Sequence, residues 1–437
     1  MKKTSMMIHD SRQQRRQFLQ QAVAAGAGMA AGSVAQGEDG SRPLPDASRA
    51  ARGVIETSAD VVVVGGGTAG TIAAIQAARA GASTLLVERG SELGGTMTVG
   101  GVSFPGLFHA WGRQVIAGIG WELVRLCVEM DGGRLPDFST PTGRQHWRHQ
   151  VVINPFLYSL LAEDACQAAG VKICYYEFPL AIEQSAKGCS LDIVGPGTTR
   201  RVACRQLIDC TGGGDVVGLA GFERLREDEI QPGSMLYKLG AEFQAGRETL
   251  QAVYVHGADS SNSVTRTEAN LTGRRSVLQR IRKQRADGQE SHLAKLQPEA
   301  SFRESYRILG ETVVTVDDYV SGRVFDDAVC HAFYPVDLHT SSGVRPKHLD
   351  EGVVPTVPLR ALVPKGSRHL MAAGRGVSSD RLANSALRVQ ATCMATGQAA
   401  GAAAALAARA DAAPLEVPLD EIRKLLREHG AIVPGMP

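Results

Sequence analysis

The chain has 437 residues, 43% hydrophobic and 21% charged, an ordinary mixture for a folded globular protein. That length exceeds one small core and implies one large domain or two intimate ones. A formal net charge of +2 gives no basis for a nucleic-acid or membrane-surface partner.

Arg15-Arg16-Gln17-Phe18-Leu19 is a twin-arginine pattern, followed by a mildly apolar, Ala- and Gly-rich stretch at 22–34 and small residues at Ser33-Val34-Ala35. Residues 1–35 therefore read as a twin-arginine signal peptide. The export machinery is then a partner, the location periplasmic or secreted, and no stable membrane insertion follows processing, because the stretch is too short to span a bilayer. A disordered basic tail is the alternative. Residues 36–58, with Gly, Pro, Ser and charges, read as a linker.

Residues 59–88 read ADVVVVGGGTAGTIAAIQAARAGASTLLVE: strand, glycine turn, helix, and a second strand ending on an acid. The glycines of G-x-G-x-x-G are Gly65, Gly67 and Gly70, with Thr68 and Ala69 between them. Gly65 allows the tight turn, Gly67 lets backbone approach a pyrophosphate, and Gly70 lets helix and strand pack closely. The pyrophosphate is expected at the helix N-terminus, where unpaired N–H groups and the dipole favour an anion. Glu88 stands where a carboxylate accepts hydrogen bonds from ribose hydroxyls, and Arg89 is a further candidate adenosine contact.

Beyond it, RGSELGGTMTVGG carries more glycine than a simple connection needs, and Gly94, Gly95 and Thr96 bring backbone amides toward a cofactor. The pattern predicts helices over 117–130 and 155–169, a strand over 172–176, a hairpin region over 181–194 and 200–203, and a strand over 205–209. That last strand runs into Cys210-Thr211-Gly212-Gly213-Gly214-Asp215, a second glycine turn at a strand end. Residues 216–360 differ: a polar, Arg-rich surface helix around 260–296 precedes His331, Tyr334, Asp337 and His339. The doubly wound pattern returns with a strand over 369–373, Gly374-Arg375-Gly376, and a helix of small residues over 392–409. The fold class expected is thus α/β, a Rossmann-like doubly wound parallel sheet with an inserted α+β substrate domain. Eight cysteines form no C-x-x-C and no zinc spacing, so no metal site is expected; Cys210 and Cys393 read as core packing, and the spacing names no disulfide partners.

These motifs together resemble the bacterial FAD-dependent oxidoreductases of the glutathione-reductase-like flavoprotein superfamily. LIDCTGGGDVVGLAG is similar to that family's D-x-T-G turn, Gln231-Pro232-Gly233-Ser234-Met235 to its Q-P-x-[ST]-M element, and FRESYRILGE to its R-E-T-R-R-I-x-G-E segment. Ser305 and Tyr306 stand where the family usually has Thr and Arg, and Leu359 where it often has Tyr. The resemblance implies an FAD-binding domain in three parts (59–130, 155–215 and 361–410), a substrate-side insertion (131–154), a substrate-facing domain (216–360) and a C-terminal tail (411–437). It implies FAD with its adenosine end at Gly65–Gly70 and Glu88, the ribityl and flavin along Gly95 and Thr96, and Thr211, Gly212 and Gly374 at the cofactor. The N-terminus of the last helix, near Met394 and Gly397, would face the pyrimidine edge with Arg388 adding charge.

The flavin then supplies hydride chemistry, and the protein must supply a base. His339 is the first candidate, since imidazole cycles at ambient pH. Asp337 shares its face if the segment is extended. Arg303 and Arg307, four apart, share one face of a helix and would hold a carboxylate or sugar oxygens. The partners expected are a small-molecule substrate and an electron acceptor that the residues do not identify. A nicotinamide-linked dehydrogenase and a non-catalytic FAD-binding scaffold stand as alternatives at this point.

Overall fold

The computed structural model describes residues 53–140, 145–240, 249–289, 292–340, 343–344 and 346–435, so the expected signal peptide and most of the linker lie outside the described residues. The four valines Val61 to Val64 are at most 1% exposed. They end strand β1 (Ile55–Val64), which the helix α1 (Thr68–Arg79) joins to β2 (Thr84–Glu88). Val61 and Val63 enter one apolar cluster with α1, whereas Val62 and Val64 enter a second on the opposite face. A strand covered on both faces has no polar side to alternate with, hence the unbroken valine run.

Helices α2 (Ile119–Met130) and α3 (Pro155–Ala168) follow. Then come strands β3 (Lys172–Tyr175), β4 (Phe178–Ser185), β5 (Gly188–Gly195) and β6 (Thr198–Asp209). The expected hairpin and the separate strand after it are thus three strands, with residues 200–203 and 205–209 in one continuous β6. Strands β3, β2, β1 and β6 are parallel neighbours in that order, and β4 and β5 extend the sheet antiparallel. The free edge of β6 is shared: β5 takes residues 198–204, and β10 takes 207–209.

The inserted region builds its own small sheet from β7 (Gly233–Gly240), β8 (Thr249–Val255) and β9 (His292–Leu296), with β7 central. Helix α4 (Ser263–Ala286) covers it through Ala269, Gly273 and Val277, making a third apolar cluster. Strand β10 (Leu370–Ala372) returns the chain to the main sheet, followed by α5 (Gln390–Ala410) and α6 (Leu419–Glu428). Part of the expected C-terminal tail packs onto the core: Ile422 and Leu426 of α6 are at most 1% exposed within the main core. The linker likewise ends sooner than expected, since Ile55 already pairs with Arg200.

All of residues 390–408 in α5 are buried. An alanine-rich segment forms helix readily, and its small side chains let it lie directly on α1. A Cβ at Gly397 would stand 2.2 Å from the Ala69 carbonyl oxygen, and one at Gly401 would stand 2.4 Å from that of Ala73. The matching increments mean that the two helices run parallel, backbone against backbone. Cys189 and Cys204 face each other across β5 and β6, and all eight cysteines are free thiols. Gly397→Ala is expected to destabilise the protein by about 1–3 kcal/mol through overpacking. Denaturant melting with an unchanged midpoint would contradict this account of the α1–α5 contact.

Candidate active site

The carboxyl ends of β1, β2, β6 and β10 converge, with Val64 opposite Asp209 and Asp209 opposite Ala372. Turns leaving these strand ends wall a cavity of about 640 Å³. Open parallel sheets hold their ligands at this edge.

At the first turn, Gly65 has φ +99°, and a Cβ there would stand 2.5 Å from the Cys210 carbonyl oxygen. At Gly70 a Cβ would meet the Gly65 carbonyl oxygen at 1.8 Å, so this glycine serves packing and does not line the cavity. Gly67 is the opposite case. Its φ of −68° suits any residue, and a Cβ there would meet nothing within 4 Å. Conformation and protein packing leave this glycine unexplained; a ligand passing close to the backbone explains it. Gly67 is also the N-cap of α1 without a side-chain cap, so the first turn at Thr68 and Ala69 presents bare N–H groups to the cavity. The Glu88 carboxylate accepts from Gly66 N–H and Gly90 N–H, both at 2.6 Å, which fixes it beside that turn. Arg89, Gly95 and Thr96 line the same wall. Gly94 does not: its N–H donates to the Gly66 carbonyl and its own carbonyl accepts from Thr68 Oγ1, tying the two loops together.

At the second turn, Asp209 is 2% exposed and organises the chain. Its carboxylate accepts from Thr211 N–H (2.9 Å), Thr211 Oγ1 (2.7 Å) and Val217 N–H (2.9 Å). Thr211, Gly212 and Asp215 then line the cavity. Burial, aided by the Asp209 charge, pushes the Asp215 carboxyl up to about 6. At the third turn, Gly374 has φ +79° and lines the cavity beside Arg375. Arg375 donates to the Gly212 carbonyl at 2.7 Å, to Ser260 Oγ at 3.0 Å and to the Phe302 carbonyl. Burial holds its guanidinium down to about 10.

The last helix meets the cavity earlier than expected. It starts at Gln390, and Val389, Gln390 and Cys393 line the cavity. Met394 and Gly397 lie further along and pack against Gly120 and Ala69, so the expectation that they touch the cofactor is corrected. Arg388, just before α5, does line the cavity. It donates through Nη2 to Gln231 Oε1 (3.3 Å) and the Asp337 carbonyl (3.2 Å), while its buried Nε has no partner.

Asp337 and His339 share one face, as expected. His339 Nε2 lies 3.1 Å from Asp337 Oδ2, and Nδ1 lies 3.1 Å from the Tyr254 hydroxyl. Burial raises the Asp337 carboxyl, but the His339 hydrogen bond and the charges of His339, Arg388 and Arg303 outweigh it and hold it below its usual value. An ionised Asp337 can only accept, so Nε2 carries the proton and donates to it, which makes Nδ1 the acceptor for Tyr254 O–H. Gln231 Oε1 accepts from His339 N–H, and Ser385 Oγ accepts from Asp337 N–H, fixing both backbones.

The two arginines expected on one helical face part company, because 301–310 is not helical. Arg303 lines the cavity, donating through Nη1 to the Pro232 carbonyl (2.6 Å) and Ser234 Oγ (3.0 Å). Burial and the Arg388 charge lower its guanidinium to about 10. Arg307 points away. Its guanidinium is 3% exposed, forks onto both Glu227 oxygens at 2.7 and 2.8 Å and donates to the Ser379 carbonyl, so it braces the fold. Tyr334 lines the cavity and His331 does not.

Tyr254, Gln231, Arg375 and Ser385 escaped the sequence reading as site residues. Gln231 and Arg375 lay inside quoted motifs and were available from them. Tyr254 is an exposed strand tyrosine with no local signal. Among the described residues no group of three His, Cys, Asp or Glu is placed to hold a metal.

The sequence pattern of the family described as FAD dependent oxidoreductase matches residues 60–241 and 226–426. No curated protein matches the chain. Solved structures with a similar chain course include a geranylgeranyl bacteriochlorophyll reductase-like protein from Thermoplasma acidophilum, at 14% identity over 85% of this chain and 84% of that one, with TM-score 0.45. A flavoprotein/dehydrogenase from Cytophaga hutchinsonii has 14% identity over 85% and 84%, TM-score 0.41. The p-nitrophenol 4-monooxygenase from Pseudomonas putida has 11% identity over 86% and 84%, TM-score 0.37.

The residues present fit FAD: an uncapped helix end, a glycine with open space before it, and three cavity arginines, Arg303, Arg375 and Arg388, that form no salt bridge among the described residues. A cofactor test follows from Gly67→Asp. An acid at the N-cap suits the apo helix but sets a carboxylate against the pyrophosphate. The variant is expected to purify colourless and to melt no lower than cofactor-stripped wild type; full flavin content would refute this placement. Matching most of its length, the chain belongs to the FAD-dependent oxidoreductase family and is an enzyme that uses FAD.

Proposed function

We propose that this enzyme transfers a hydride between a small organic substrate and its bound FAD, with Tyr254, His339 and Asp337 moving the accompanying proton. The observation that carries this reading is the hydrogen-bonded chain of those three side chains. Two of them line the cavity, and the third, Tyr254, is 42% exposed. When bound, the flavin accepts or returns two electrons with a hydride. The bare first turn of α1 would hold the pyrophosphate, Glu88 would hold the ribose hydroxyls, and the N-terminal end of α5 would favour negative charge on the flavin side.

Substrate oxidation by that chemistry would also release the companion O–H or N–H proton, which must go to the protein. Both imidazole nitrogens of His339 are engaged, so the simple picture of a free histidine base is refined. His339, which lines the cavity, takes the substrate's proton at Nδ1 in place of the hydrogen bond from the Tyr254 hydroxyl. The Asp337 carboxylate holds the tautomer and stabilises the imidazolium that forms, as a buried carboxylate does beside a catalytic histidine. In the reverse direction the same chain donates.

Positioned acid–base groups contribute roughly 10²–10⁴-fold. His339→Ala is therefore expected to keep its flavin and lose about 100-fold or more in the rate of flavin reduction, with Tyr254→Phe losing less. Stopped-flow reduction at the wild-type rate in His339→Ala would remove the relay.

The twin-arginine pattern at Arg15-Arg16 supports export of the folded, cofactor-loaded protein to the periplasm or beyond. Replacing both arginines by lysine is expected to leave the holoenzyme in the cytoplasmic fraction. Cell fractionation finding it outside regardless would overturn this part of the proposal.

A further inference from the structure

Arg303, Arg375 and Arg388 are set deep in the cavity wall, and none has an ion-pair partner among the described residues. Their hydrogen bonds go to carbonyls, to the hydroxyls of Ser234 and Ser260 and to the Gln231 amide. Arg375 stands at the glycine turns, near Asp215. Arg388 is close enough to both Arg375 and Arg303 that its charge opposes each, and it shares the Asp337 charge with Arg303. The acids acting on this pair are Asp337 and Glu304. Glu304 is already committed, accepting from Gln231 N–H at 2.8 Å and Arg381 Nε at 2.9 Å. Asp337 is committed to His339.

Two guanidinium groups are thus set against one carboxylate that also serves a histidine. Arg388 immediately precedes the uncapped start of α5, whose dipole adds further positive potential. An enclosed, uncompensated cation is costly, and an arriving anion relieves that cost. The pyrophosphate belongs at the other helix, α1, and does not meet this need. The donors also have room. Arg303 uses only Nη1 on described acceptors, and the buried Nε of Arg388 has none.

We propose that Arg303 and Arg388 form a carboxylate-binding subsite, and that the substrate is a small organic acid whose carboxylate neighbours the reacting carbon. A 2-hydroxy acid is the simplest case. Its C2–H bond breaks with the electron pair passing to the flavin, its hydroxyl proton passes to the Tyr254–His339 pair, and a 2-oxo acid leaves. This substrate class rests on the hydride-transfer reading above; the anion subsite does not.

The test is calorimetric titration of the FAD-loaded protein with oxalate, lactate and, as an uncharged control, oxamide. Wild type is expected to bind oxalate and lactate and to ignore oxamide. A charge-assisted pair supplies about 1.5–3 kcal/mol, so Arg303→Gln is expected to weaken oxalate by roughly 10- to 100-fold, with Arg303→Lys intermediate. Flavin content and melting temperature identify any variant that has misfolded, in which case Arg388→Gln serves in its place. Absence of oxalate binding to wild type, or equal affinity in properly folded Arg→Gln variants, would overturn the subsite. Carboxylate binding with no acid able to bleach the flavin anaerobically would keep the subsite and overturn the substrate class and the hydride reading. Bleaching by uncharged compounds alone, without carboxylate binding, would overturn the subsite and the substrate class and keep the hydride reading.

Discussion

The contact between α1 and α5 is the constraint on which the site depends. Gly397 and Gly401 place one helix backbone directly on the carbonyls of Ala69 and Ala73. No side chain separates the two, so their relative height is set by backbone contact alone. Since they run parallel, both N-termini emerge at the carboxyl edge of the sheet, one at Gly67 and the other at Val389. Strand β10 docks on β6 and delivers the chain to α5, so the last helix is seated by the same sheet that seats the first.

Two parallel helices in contact align dipoles that repel, and neither first turn has a side-chain cap. Arg303, Arg375 and Arg388 add charge to the same end. On the proposed reading, anions received in the cavity would turn this local cost into affinity. Asp209 supplies the counterweight inside the protein. Its buried carboxylate gathers Thr211 and the start of the 215–219 helix, keeping the second glycine turn in place while presenting no charge to the cavity.

Arg303 and Arg307 are four apart, which places them together only if the chain is helical there. The Glu227 and Glu304 carboxylates instead draw Arg307 into the frame, leaving Arg303 to the cavity. A helix beginning at 392 would bring Met394 and Gly397 to the cavity; the two further residues at the start of α5 move the cavity-facing turn back by that much. Residues 411–437 look polar, yet Ile422 and Leu426 recur on one face of α6 and bury against the core.

What the amino-acid order determined by itself is everything governed by local chemistry. Four valines before a glycine turn make a doubly covered strand, and a run of alanine and glycine makes a helix able to lie against another. Such features need only neighbours within a few residues. What the tertiary structure decided is which distant groups meet. Tyr254 comes from the inserted sheet, and His339 and Asp337 from a later segment. Gln231 and Arg388 are separated by most of the inserted region, and their contact through one amide oxygen exists only once the chain has returned to the sheet. Side-chain reach of a few ångströms acts through space, and no spacing along the chain encodes it.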